Sequence, residues 1–313
     1  MKALNHPLSL ALFSGILFYL GWPTLGFPIF LWIAFVPLLL AENSLRKSKN
    51  SGLKIFGLAY ISFLIWNFST TAWLYYASLF GVLIAVLVNS LLMALVFLLF
   101  HWVAKKSTPK IYWPFFISIW LVFEKMHLHW EFSWPWLNLG NGFSEYPSWI
   151  QWYEYTGTFG GSLWILIVNI LFFNLIQTYL KEKRFPFQKL RPLFLWLLVP
   201  LLYSFYLYQN YTITGTQKEV ILLQPNVDPY TEKYSKSNTE VIIGLLEQTQ
   251  EKITQNTNYI IAPETVLAEN IPYENFQFSV GKNLLHRFMN KYPKASFLLG
   301  IDTYDILYHK ALT

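Results

Sequence analysis

The residue with the clearest chemical potential is Glu264. It sits in Pro263-Glu264-Thr265, directly after the apolar run Tyr259-Ile260-Ile261-Ala262. A carboxylate fixed at a turn after a strand can serve as a general base when partial burial brings its pKa toward the working pH. Alone the tripeptide says little, because a glutamate after a strand is most often a solvated turn residue. A second apolar run, Val220-Ile221-Leu222-Leu223, ends in Gln224-Pro225-Asn226. Composition removes other chemistries. There is no cysteine, hence no disulfide, no thiolate metal site and no cysteine nucleophile within these residues. His127 and His129 are too few to make a metal centre, and no metal or cofactor is expected.

The elements that must position Glu264 follow from periodicity. Residues 220–223 and 259–262 have strand length and composition and stop at turn residues. Residues 237–255 read as a helix whose Val241, Ile242, Leu245, Leu246 and Ile253 share one face. A second helix is expected over 280–291, with Leu284, Leu285 and Phe288 facing in, and a third strand over 296–301. The βαβαβ order predicts neighbouring strands and right-handed crossovers. It also puts Glu264 at the carboxyl edge of the sheet, where open α/β sheets bind ligands. Three strands with exposed edges make a poor endpoint, so residues 216–313 are expected to be the first part of a larger α/β domain.

Residues 1–212 read as membrane. The chain is 54% apolar, 19% aromatic and 13% charged, against about 25% charge in ordinary soluble domains. Seven spans of near-bilayer length are expected, at roughly 5–21, 27–42, 54–76, 80–103, 111–127, 160–180 and 192–209. Residues 1–22 lack a small-residue cleavage site and are taken as a retained first helix. Arg46, Lys47, Lys49 and Lys54 lie between spans two and three; Lys105, Lys106 and Lys110 between four and five; Lys181, Lys183, Arg184, Lys189 and Arg191 between six and seven. The alternate loops carry none. The positive-inside rule then puts the amino terminus in the cytoplasm and residues 210–313 on the outer, periplasmic side. The net charge of +6 is no nucleic-acid signal, since residues 216–313 hold nine Lys/Arg against eleven Asp/Glu. The aromatic loop 128–159, with Trp130, Trp134, Trp136, Trp149 and Trp152, reads either as an interfacial belt or as the wall of a lipid site. Asn67, Asn89, Asn169 and Asn174 are expected to bond between helices.

Taken together, three features look like the first strands of the nitrilase (carbon–nitrogen hydrolase) superfamily. They are Gln224-Pro225-Asn226, Pro263-Glu264-Thr265 about 40 residues later, and Leu299-Gly300-Ile301. A domain of that kind outside a polytopic membrane region resembles the apolipoprotein N-acyltransferases. Trp134-Pro135-Trp136-Leu137-Asn138-Leu139-Gly140 resembles that family's outer-loop Pro-Trp-Leu motif. Gly157-Thr158-Phe159-Gly160-Gly161-Ser162 resembles the Gly-rich start of its sixth span, and Gly21-Trp22-Pro23 the turn after its first.

The resemblance implies an αββα fold with a Glu-Lys-Cys triad. It implies transfer of a phospholipid acyl chain, by way of a cysteine thioester, to the amino-terminal amine of a diacylated lipoprotein in the bacterial inner membrane. Glu264 matches the base of that triad. Tyr234, in Glu232-Lys233-Tyr234, stands within about one residue of where the family places an aromatic residue over the site. The family's cysteine motif and eighth span have no counterpart here. Tyr308-His309-Lys310-Ala311-Leu312 superficially resembles its lysine context but follows the third strand too closely, and Lys310 is not assigned that role. The chain is expected to stop midway through the domain. A catalytically inactive membrane protein that binds lipid or lipoprotein is the alternative. A solute transporter fits less well, because the spans hold few ionisable residues.

Overall fold

The computed structural model describes residues 6–23, 25–76, 78–228 and 231–305. The chain divides into two compact units, Met1–Thr212 and Ile213–Thr313.

The first unit is helical. It comprises α1 (Pro7–Gly21), a 3-10 segment (Pro28–Ile33) leading into α2 (Val36–Leu45), α3 (Ser51–Thr71), α4 (Leu79–Lys106) and α5 (Pro109–His127). The short α6 (Tyr153–Thr156), α7 (Thr158–Glu182) and α8 (Leu190–Asn210) follow. Prolines open α1 and α5, where a missing N–H costs nothing. Ser78 caps α4 by accepting from Gly81 N.

All seven expected spans are helical, but among the described residues five helical stretches are long and apolar enough to cross a bilayer. They are Pro28–Leu45, Ser51–Tyr76, Leu79–Lys106, Thr158–Glu182 and Phe187–Asn210. The count of seven is corrected for two reasons. Helix α1 has 15 residues, about 22 Å at the usual rise and short of a hydrocarbon core of about 30 Å. Helix α5 carries Pro114 inside it and Lys110, Glu124 and Lys125 along it.

Aromatic rings fill the core of this unit. Phe18 stacks on Trp66 at 4.5 Å between centroids, and Phe35 meets Phe18 and Trp120 edge-on at 4.8 Å each. Such pairs add about 0.5–1.5 kcal/mol each beyond their area. Several polar groups within the core pair with one another. Asn67 Oδ1 accepts from Asn89 Nδ2 at 2.6 Å, joining α3 to α4. Asn169 on α7 accepts from Phe35 N (2.8 Å) and donates to Leu31 O (2.7 Å), pinning the turn before α2. Asn174 contributes its backbone carbonyl instead, accepting from Thr178 Oγ1. Glu42 is fully buried; it accepts from Arg46 Nη2 at 2.6 Å and pairs with His101 Nδ1 at 2.7 Å. Ser51 Oγ joins the same network through His101 Nε2 and Lys105 Nζ.

The aromatic loop after α5 is a packed structure. Leu137, Leu139 and Phe143 are buried, and Tyr153 donates to Gly140 O at 2.8 Å. Gly140 and Gly161 lie back to back: a Cβ on Gly161 would sit 2.9 Å from Gly140 Cα, and one on Gly140 would overlap Thr158 O. Only glycine lets these two backbones approach so closely.

The second unit is α/β. It holds β1 (Glu219–Leu222), α9 (Asn238–Gln250), β2 (Thr257–Ile261), β3 (Leu267–Pro272), α10 (Tyr273–Gln277), α11 (Val280–Met289), β4 (Ser296–Leu298) and β5 (Ile301–Tyr304). One parallel sheet runs β1-β2-β4, and β3 pairs with β5 in a second parallel sheet. The expected third strand is therefore two strands, broken at Leu299-Gly300, and β3 was not foreseen. Its sequence, Leu-Ala-Glu-Asn-Ile-Pro, lacks strand alternation and ends in proline. Helix α9 starts in a capping box between Ser237 and Glu240. Asn238 N donates to Glu269, and Glu269 N donates back to Asn238 Oδ1, tying α9 to β3. One face of the β1-β2-β4 sheet packs Leu223, Ile260 and Ala262 against Leu245 of α9. The opposite face shows Val220, Leu222, Tyr259 and Leu298, all exposed.

Two outcomes are expected. Asn169→Leu leaves Phe35 N and Leu31 O without partners inside the bundle and should cost about 1–2 kcal/mol, read as a lower thermal midpoint in detergent. The Glu219 carboxylate accepts from the Thr257 and Thr254 hydroxyls, which hold it below the usual carboxylate range. Its contribution is therefore complete above the ordinary value of about 4.3 and is lost as pH falls through the lower folded-state value. Hydrogen exchange of β2 should show this acid loosening, and Glu219→Gln should abolish that step.

Candidate functional site

The site forms where β1 and β2 end. Strand β1 leads into Gln224-Pro225-Asn226, and Asn226 takes a left-handed conformation (φ 51°) that asparagine tolerates better than most residues. Strand β2 leads into Pro263-Glu264-Thr265, where Thr265 is also left-handed (φ 50°). The chain between β4 and β5 holds this second turn. Ala262 N donates to Leu298 O (2.8 Å), Gly300 N to Pro263 O (3.3 Å), and Leu267 N to Gly300 O (3.1 Å). Gly300 lies against the turn itself: a Cβ there would come within 3.0 Å of Glu264 Cα and overlap Thr265 N. The break between β4 and β5 thus positions the turn that carries Glu264.

These two turns line a cavity of about 280 Å³, together with Lys233 and Val241. Its polar lining comprises Gln224, Asn226, Lys233, Glu264 and Thr265. Glu264 is exposed within it, and among the described residues its carboxylate makes no hydrogen bond or ion pair. A free carboxylate in a concave site is available to take a proton from an incoming group.

The structure brings together the two motifs singled out in the sequence, Gln224-Pro225-Asn226 and Pro263-Glu264-Thr265. Tyr234 is 70% exposed and is not among the lining residues. Lys233 lines the cavity instead, with its ammonium 5.8 Å from the Tyr234 ring centroid. Sequence reasoning passed over Lys233, whose only signal was its place beside Tyr234. The segment Tyr308–Leu312, with Lys310, lies outside the described residues. The lining offers a base, a cation and amide groups; the only hydroxyl is that of Thr265, and residues 1–313 contain no thiol.

Comparison with known proteins adds a second line. Residues 14–171, half of the chain, match the family described as the apolipoprotein N-acyltransferase N-terminal domain. An apolipoprotein N-acyltransferase of Chlorobaculum tepidum is 27% identical over 289 residues, covering 87% of this chain and 52% of that protein. One of Geobacter metallireducens is 26% identical over 255 residues, covering 78% of this chain and 47% of that protein. The chain spans about half the length of the curated relatives it matches.

Gly300→Ala should displace the Glu264-Thr265 turn, at a cost of about 1–3 kcal/mol from overpacking. Hydrogen exchange should rise across residues 262–267 and 298–301, while α9 keeps its protection.

Proposed function

Because the chain belongs to the apolipoprotein N-acyltransferase family, we propose that it is the membrane and base-bearing part of an enzyme that moves an acyl chain from a phospholipid to the terminal amine of a diacylated lipoprotein. The observation that carries this reading is the convergence of Glu264 with the Gln224–Asn226 turn in one cavity at the carboxyl edge of a parallel sheet. Glu264 is the general base. It takes the proton of a thiol as sulfur attacks the ester carbonyl, and later the proton of the attacking amine. Residues 1–313 contain no cysteine, so the Cys of a Glu-Lys-Cys triad is not assigned among them, and no lysine is assigned the triad role. Tyr234, beside the cavity, is proposed as part of a loop over the substrate, and Lys233 as a cation near the developing charge.

A nitrilase-type αββα domain over 216–313 is proposed on the open sheet face. Val220, Leu222, Tyr259 and Leu298 form an apolar surface of the kind that a second sheet covers in a sandwich. The transmembrane domain is proposed to span 1–212. The lysine- and arginine-rich loops alternate with bare ones along the helices, the pattern that the positive-inside rule expects of a multi-pass protein. The Glu124 side chain of α5 is buried by protein, as a carboxylate at membrane depth must be. This topology keeps the amino terminus in the cytoplasm and residues 210–313 outside the bacterial inner membrane. The lack of a thiol in these residues favours one other reading, a protein that holds lipid or lipoprotein without turning it over.

The test uses membranes carrying the protein as expressed from its own gene. Acyl transfer from a labelled phospholipid to a synthetic diacylated lipopeptide should fall by about 10²–10⁴-fold in Glu264→Gln. Lys233→Met should lower turnover less. The intact mass should exceed the 36.8 kDa of these 313 residues. A mass of 36.8 kDa without transfer, but with retained lipopeptide binding, would replace this reading by the non-catalytic one.

A further inference from the structure

Five described residues other than glycine take a left-handed backbone: Asn50, Lys183, Asn226, Thr265 and Asn270. Three of these are asparagines, which tolerate that region. Lys183 caps the carboxyl end of α7, a place where helices commonly turn left-handed. Thr265 alone is β-branched, and a branched side chain is strained in a conformation that glycine adopts freely.

The backbone on both sides holds Thr265 in that conformation. Before it, Pro263 O accepts from Gly300 N (3.3 Å); after it, Leu267 N donates to Gly300 O (3.1 Å). Ala262 and Leu267 are buried at either end of the turn, and the Gly300 backbone lies against Thr265 N. Strain of this kind persists where the surroundings over-determine it, and it gathers at functional sites.

Glycine at 265 would satisfy the turn. What threonine adds is its side chain. The residue is half-buried and lines the cavity with Gln224, Asn226, Lys233 and Glu264. Its hydroxyl makes no hydrogen bond to protein among the described residues. A free donor therefore stands next to the free Glu264 carboxylate, on a backbone that is fixed before any substrate arrives.

We propose that Thr265 is a further catalytic residue whose hydroxyl donates a hydrogen bond to the acyl carbonyl oxygen while that oxygen carries negative charge. This rests on the acyl-transfer reading. As a thiol attacks the ester, the C–S bond forms, Glu264 takes the thiol proton, and the carbonyl π pair moves onto oxygen. The pair returns as the C–O bond to glycerol breaks, and the glycerol oxygen takes the proton. The charged oxygen sits on the carbon that the sulfur attacks, so the residue beside the base is placed to reach it. The Thr265 hydroxyl keeps its own proton throughout. A donor aimed in advance at developing charge is the form of stabilisation that acts in the transition state more than in the ground state.

Membranes carrying the protein as expressed from its own gene are assayed with labelled phospholipid and a synthetic diacylated lipopeptide, and hydrogen exchange is read at Leu267 and Gly300. Thr265→Val keeps the branch and removes the hydroxyl. Its kcat should fall about 10²-fold, with KM changed by less than about twofold and exchange unaltered. Thr265→Ser restores a hydroxyl and should recover about tenfold or more of that loss. Thr265→Gly relieves the strain but lacks the hydroxyl, and should fall as far as valine. Full turnover in Thr265→Val or Thr265→Gly overturns the assignment and leaves the enzymatic reading standing. A valine loss that serine does not rescue, or that comes with faster exchange at Leu267 and Gly300, also overturns it, since Thr265 then only packs the turn. Absence of transfer in the unsubstituted protein overturns the enzymatic reading itself, and this assignment with it.

Discussion

A polar atom inside the membrane unit must find its partner within the protein, because hydrocarbon supplies none. That constraint shapes the bundle more than helix propensity does. The Asn67–Asn89 bond fixes α3 against α4. Asn169 reaches two backbone groups across more than 130 residues of sequence. Glu42 draws in Arg46, His101, Ser51 and Lys105. Between these ties the space is filled by aromatic rings, whose edge-on contacts leave little freedom for helices to slide. Nine buried polar side-chain atoms of this unit have no protein partner among the described residues, and four of them belong to Asn89, Glu124, His127 and Trp134, which line one small cavity.

The second unit obeys a different constraint. Its catalytic candidate depends on backbone proximity rather than on side-chain pairing. Gly300 lies against Glu264 and Thr265 with no room for a methyl group, and three backbone hydrogen bonds hold the turn between β2 and the β4–β5 break. The carboxylate itself stays free. The backbone of the turn is thus held from both sides while the Glu264 side chain stays exposed in the cavity.

Much of this was legible in the sequence by itself. Hydropathy located all seven helical segments, since long apolar runs have few alternatives. The strand-turn pattern placed Glu264 at the end of β2 and the Gln224–Asn226 turn at the end of β1, because period and punctuation are local properties. Other features were decided only by the tertiary structure. The third strand broke at Gly300 because its second half pairs with β3, a partner with no strand signature of its own. Lys233, not Tyr234, lines the cavity, since a one-residue difference in a loop is set by packing rather than by pattern. His127, read as interfacial, proved buried, with Trp130 Nε1 donating to its Nδ1. Two helices fell short of bilayer length or apolarity: α1 has 15 residues, and α5 carries Pro114 and the charged Lys110, Glu124 and Lys125.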